Sequence, residues 1–366
     1  MNRHRITVVL SQAQGKHPGK RALEESIVAA LIMEPGLDVS VIPHLYDLGA
    51  DHTGRLFLGS VRGDMVLLSW LFPRAAFWVM DRDGIKGHWG ESQLKSAHAD
   101  DDDDAAPEPP KGIGSLDVPD RHIYCLDLRD FNQHEPYVNE IRRIAEESRA
   151  RAEQKQSQRA PALVQLGGLG ESAASATGGP LTLTPVAGAF GSPFVNGTPA
   201  TDAPGSPFAP DQLLQAAGRR WYPVIDYSRC TNCMECIDFC LFGVYGVDGQ
   251  ERILVENQDN CKKGCPACSR VCPEQAIMFP DYKTAAIAGA PVGAIGNLKI
   301  DLTKLFGGAD KDALSQAVEE RDRELVADGR DAVGATVGIP KRQNNATVGP
   351  KDDLDNLMDA LDAMEI

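Results

Sequence analysis

Outside residues 230–272 this chain of 366 residues contains a single cysteine, Cys125. No run of apolar residues approaches the roughly 20 needed to cross a bilayer, which argues against a membrane-spanning helix. Basic charge is scarce too: 37 Lys and Arg face 52 Asp and Glu, and the formal net charge of −15 excludes an electrostatic grip on nucleic acid. The start of the chain lacks the apolar core of a secretion signal. Met1-Asn2-Arg3-His4-Arg5 leads into only five apolar-patterned residues, Ile6 to Leu10, which points to a cytoplasmic protein whose thiols stay reduced. Also missing are a His-Glu metal pair, a Ser-His-Asp arrangement and a true phosphate loop. Gly15 and Gly19 are one residue too close for that motif, and Arg21 stands in its Ser/Thr position.

What the chain does have is concentrated. Eight of its nine cysteines form two groups, Cys230, Cys233, Cys236 and Cys240, then Cys261, Cys265, Cys268 and Cys272 followed by Pro273. A cubane iron–sulfur cluster needs a thiolate at each of four iron corners. Three can come from one short loop when they are spaced by about two residues, and the fourth must arrive from elsewhere. Zinc ribbons instead separate pairs of cysteines by a dozen or more residues, so three ligands within seven positions argue against zinc. Cys125, inside the apolar run Ile123-Tyr124-Cys125-Leu126, reads as an ordinary buried thiol.

From Trp221 to Tyr282 the sequence resembles the bacterial-type ferredoxins with two [4Fe–4S] clusters. The flanks repeat with the cysteines: Val224-Ile225-Asp226 and Ile253-Leu254-Val255-Glu256 precede the two groups, and Val244-Tyr245 and Ala276-Ile277 follow them. Each half therefore reads as strand, cluster loop, short helix and returning strand. The resemblance implies that the fourth cysteine of each group crosses over. One cluster would take Cys230, Cys233, Cys236 and Cys272; the other would take Cys261, Cys265, Cys268 and Cys240. Two departures stand out: Leu241 replaces the family's proline, and one extra residue precedes Cys265, a strain that Gly264 can absorb with a positive φ.

The N-terminal region alternates apolar strands with helices. Strands are expected at Ile6–Leu10, Val39–Ile42, Met65–Leu68, Ala76–Met80 and Ile123–Leu128, and helices at Arg21–Met33 and Glu135–Glu153. That pattern predicts a three-layer α/β domain over 1–153 with a parallel sheet, similar to flavodoxin-like folds. A ligand is expected at the carboxyl ends of its strands. Gln14, Gly15 and Lys16, after the first strand, are the candidates to hold an anion or a flavin phosphate. The same loop, with His17, and Phe72-Pro73 further on resemble the cobalamin-pathway chelatase family, although that family's further metal-binding His has no counterpart near Phe72. A structural or docking domain with no ligand is the simplest reading.

The remainder reads as spacer. An acidic insertion over 98–119 carries the run Asp100–Asp104. Residues 154–220, rich in Ala, Gly, Ser, Thr and Pro, read as a flexible linker. The stretch 221–283 is the dicluster unit, and 284–366 a tail, mobile or partner-bound, with helices near 310–328 and 352–365. In the last of these, Leu354, Leu357, Met358, Leu361 and Met364 recur at helical spacing. The function expected is electron transfer, by a carrier or a subunit of a redox complex, with a partner that offers a basic docking face. The alternatives are an oxidoreductase whose α/β domain binds a flavin or tetrapyrrole, and a docking subunit whose linker and tail engage a larger complex.

Overall fold

The computed structural model describes residues 5–94, 112–159, 213–215, 217–291 and 313–338. Among these, no helix is long and apolar enough to cross a membrane. Most of the linker expected over 154–220 and most of the acidic insertion lie outside the described residues, as does all of the helix expected at 352–365; residues 154–159 belong to the helix Glu135–Arg159 instead of the linker.

The N-terminal part is α/β. Strands β1 (Ile6–Ser11), β2 (Leu37–Ile42), β3 (Met65–Ser69), β4 (His88–Gly90) and β5 (His122–Asp127) form one sheet in the order β2-β1-β3-β5-β4, and every pair is parallel. All five residues of β3 are buried, as a central strand covered on both faces requires. Helices α1 (Pro18–Leu31) and α4 (Glu135–Arg159) cover one face, where Val8, Leu10, Val66, Leu68 and Leu126 meet Ile27, Leu31, Tyr137 and Ile141. The opposite-pointing residues Val9, Met65, Leu67, Ile123 and Cys125 pack against α2 (Thr53–Ser60) and α3 (Pro73–Arg82).

Two expectations are corrected here. Ala76–Met80 is the middle of α3 rather than a strand; every residue from Ala75 to Asp81 is buried, which erases the amphipathic period that marks a helix. The sheet also ends differently from the 2-1-3-4-5 order of flavodoxin-like folds, because the short β4 takes the outer edge and β5 lies inside it.

The cysteine-rich unit has β6 (Val224–Ile225), α5 (Glu235–Phe239) and β7 (Tyr245–Val247), then β8 (Ile253–Val255), α6 (Ala267–Val271) and β9 (Ile277–Met278). The first strand of each half pairs antiparallel with the last strand of the other, β6 with β9 and β8 with β7. The unit sits directly on the α/β part. Tyr222, Val224 and Met278 share one core with α3, as do Ala288 of α7 (Ala285–Ala288) and the neighbouring Ala290. Tyr46 and Tyr222 lock the junction: their rings lie 4.3 Å apart, Tyr222 N–H donates to Tyr46 Oη at 2.8 Å, and Tyr222 Oη donates to Tyr46 O at 3.0 Å. Arg74 Nε donates to Asp226 Oδ2 at 2.5 Å. Gly289, at φ 102, lies so close that a Cβ there would come within 2.7 Å of the Ala75 methyl.

The tail is only partly as expected. Helix α8 (Ala313–Ala327) packs on the cysteine-rich unit instead of hanging free: Ala317 is fully buried in a core with Phe239, Ala267 and Val271. Arg270 of α6 clasps Glu320 with two bonds of 3.0 and 3.1 Å. The buried face repeats every fourth residue as Ala317, Arg321 and Leu325, a period the many charges of α8 conceal.

Candidate functional site: two cysteine-lined cavities

The first cysteine loop runs from β6 into α5, and its tight wrapping comes from left-handed backbone at Asn232 (φ 59) and Met234 (φ 65). The second runs from β8 into α6, with Gly264 at φ 89 taking up the extra residue. Because β6 pairs with β9 and β7 with β8, the end of each half lies against the start of the other. Cys230, Cys233, Cys236 and Cys272 thus line one small cavity, whose other walls include Ile225, Met234, Ile253 and Ile277. Cys240, Cys261, Cys265 and Cys268 line a second, closed by Phe239, Phe242, Tyr245 and Arg321. In each cavity three cysteines come from one loop and the fourth from the other. The sulfurs ring a space; among the described residues no group of His, Cys, Asp or Glu meets at one point as a single ion needs.

The donor set fits an iron–sulfur cluster. Burial pushes the Cys230, Cys236, Cys240, Cys261, Cys268 and Cys272 thiols up, and Cys265 up to about 11, so the bare thiols stay protonated near neutral pH. Opposing that, backbone N–H groups point at several of the sulfurs. Ala276 N–H donates to Cys272 Sγ at 3.3 Å, Phe242 and Val244 serve Cys240, and Ala267 serves Cys265. Such donors favour an anionic sulfur, and hydrogen bonding to sulfur is one of the levers that set a cluster's potential.

Three contributors were not legible beforehand. Tyr245 donates its phenol to Cys268 Sγ at 3.0 Å. Arg321, brought from α8, is 1% exposed, lies 4.6 Å from the Phe239 ring centroid and donates to Val337 O and Gly334 O at 2.9 and 2.7 Å. The third is the chain that returns from the acidic insertion, which lies along the first loop: Gly112 and Ile113 N–H donate to Ser228 O and Cys230 O at 2.8 and 2.9 Å. For Tyr245, the apolar strand pattern hid a polar role. Arg321 stood in a helix with too many charges to suggest burial.

The loop after β1 has a different character from the cavities. Gln14 Nε2 donates to Asp47 Oδ2 at 2.9 Å and Asp281 Oδ2 at 2.7 Å, while Gly15 and Lys16 are exposed. Arg21 turns inward to Glu24, Ala13 O and Gly15 O. Buried beside Gln14, His44 has its pKa lowered by desolvation, and Asp47 has its own raised by the same cause. Cys125 is buried against α3, its thiol pushed up by burial alone.

No protein-family model matches the chain, and no solved structure matches it. Among curated proteins, an uncharacterised ferredoxin of Methanocaldococcus jannaschii is 48% identical over 64 residues. That stretch is 17% of this chain and 43% of the archaeal protein, so the chain spans less than half of the relative it matches. The chain therefore contains a ferredoxin-like region joined to an α/β part that the likeness does not explain.

Proposed function

We propose that this chain is an electron-transfer protein, or the electron-transfer subunit of a redox complex, relaying single electrons through two [4Fe–4S] clusters. The observation that carries this reading is the sorting of eight cysteines into two cavities, each closed by one cysteine from the other half of the unit. Cys230, Cys233, Cys236 and Cys272 would hold one cluster, and Cys261, Cys265, Cys268 and Cys240 the other. When bound, such clusters supply one-electron carriers at potentials set by hydrogen bonds, charge and solvent access. The chain's own part is to hold the sulfurs, aim N–H groups at them and keep water out with Ile225, Ile253, Phe239 and Tyr245. The net charge of −15 favours a partner with a basic docking face, and association should slow as salt is raised. Anaerobically purified protein is expected to hold about eight iron and about eight acid-labile sulfides per chain, and to give on reduction an EPR spectrum of two interacting clusters. Zinc in place of iron would overturn the reading.

A further inference from the structure

The two halves of the cysteine-rich unit repeat each other in sequence, and they differ in what they place around each cavity. Counted from the cysteines, Thr231 and Glu235 of the first loop stand where the second has Lys262 and Ala267. Glu274 and Ile277, two and five residues past Cys272, stand where Phe242 and Tyr245 follow Cys240. Because the fourth cysteine of each group crosses over, Thr231, Glu235, Glu274 and Ile277 all line the first cavity, while Lys262, Ala267, Phe242 and Tyr245 line the second.

The charges differ in one direction. Glu235 and Glu274 disfavour added negative charge in the first cavity, and neither carboxylate has a counterpart in the second. Instead Lys262 stands beside Cys261, and Arg321 arrives from α8. Asp328 and Asp322 pair with these two cations and weaken their field, but neither aspartate lines the cavity.

The difference in hydrogen bonding is a hydroxyl. Tyr245 of β7 is buried and donates to Cys268 Sγ at 3.0 Å, whereas Ile277 of β9 offers the first cavity only a hydrocarbon side chain. A phenol of ordinary pKa, about 10, keeps its proton at neutral pH and remains a donor. Such a bond to a ligand sulfur favours the electron-richer, reduced state. Backbone N–H groups serve both sets, at Cys230 and Cys272 as at Cys240 and Cys265, so they give the second no advantage.

We infer that a chain holding one electron keeps it on the second set, Cys240, Cys261, Cys265 and Cys268, so that electrons run from the first set to the second, with the Tyr245 hydroxyl helping to set that direction. This rests on the two-cluster reading and adds to it the order of the two centres. In the internal step the first centre is oxidised and the second reduced by the same single electron, and Tyr245 keeps its proton. The hydroxyl is expected to contribute about tenfold to the preference, and the charges at least about tenfold more.

The test is an EPR-monitored redox titration of the anaerobic full-length protein with dithionite, with iron and sulfide measured on the same samples. The component that appears first is expected to be the one perturbed in Cys268→Ser and not in Cys233→Ser. Tyr245→Phe keeps the ring and removes the oxygen; it should lower that midpoint alone by about tenfold in the equilibrium, which is about 59 mV for a one-electron couple, with iron content unchanged. Glu274→Gln, in the other cavity, should raise the other midpoint and narrow the gap. Missing iron, or zinc in its place, would refute the two-cluster reading itself. With both clusters present, their simultaneous reduction, or earlier reduction of the set perturbed in Cys233→Ser, would overturn the direction. An unmoved midpoint in Tyr245→Phe would return Tyr245 to packing, and should that variant lose iron, an unmoved first-set midpoint in Glu274→Gln would overturn the electrostatic ordering.

Discussion

Removing the charge of Arg321 is expected to lower the potential of one cluster and leave the other in place. Arg321 lines the cavity of Cys240, Cys261, Cys265 and Cys268, is 1% exposed and reaches no solvent that would screen it. A buried positive charge favours the more negative, reduced state of an adjacent cluster. Taking a separation of roughly 8 Å and an effective dielectric of about 20, the interaction is about 2 kcal/mol. With 59 mV per factor of ten for a one-electron couple, that is about 90 mV. Asp322, bonded to Arg321 Nε at 3.0 Å, offsets part of it, so a downward shift of about 40 to 90 mV is expected for Arg321→Gln. Arg321→Lys keeps the charge and should keep most of the potential, even though it loses the bonds to Val337 O and Gly334 O. The assay is an EPR-monitored redox titration of the anaerobic protein, reading both clusters separately. Equal shifts in the Gln and Lys variants, or a shift in the cluster of Cys230, Cys233 and Cys236 instead, would refute the reasoning and leave Arg321 a packing residue.

Three further outcomes are expected. Cys272→Ser should perturb the same EPR component as Cys233→Ser, and Cys240→Ser the same as Cys268→Ser; a grouping of Cys272 with Cys268 would mean that the halves bind their clusters locally. Cluster loading of the apo protein should weaken as pH falls from about 9 to about 6, measured by visible absorbance. The thiols are held protonated by burial, and each ligand formed must release a proton, so acid competes throughout that range. Tyr46→Phe should lower the melting temperature, with a cost of about 1–3 kcal/mol for leaving Tyr222 N–H and C=O unpaired, and should not change the iron content. An unchanged melting point would show that the junction adds little to stability.

How far the sequence could be read depended on whether one residue type alone carried the signal. The cysteine spacing, with the repeated flanking strands, made the two-part unit visible, and Gly264 takes the positive φ its position suggested. Strands β1, β3 and β5 were visible because both faces are buried and their apolar runs are short. The same burial misled at Ala76–Met80: Ala-Phe-Trp-Val-Met looks like a strand, and Pro73 at the helix start was the one local clue. Strand β4 has three residues and two of them are exposed, too little for any period. The contributions of Arg321, Tyr245 and Arg74 depend on neighbours 81, 23 and 152 residues away in Cys240, Cys268 and Asp226. No local pattern encodes separations of that kind.

On the proposed reading, the core shared by α3, Tyr222, Val224, Met278 and Ala288 would couple the iron status of the cysteine-rich unit to the α/β part. A ferredoxin unit on a tether can lose its metal and unravel while its neighbour stays intact. Here the strands that flank the cysteine loops, β6 and β9, pack on α3 through Val224 and Met278, so loss of the proposed clusters would loosen part of the cover of α3. The α/β part would then act as a witness to the clusters, well folded when they are present and a target for proteolysis when they are gone.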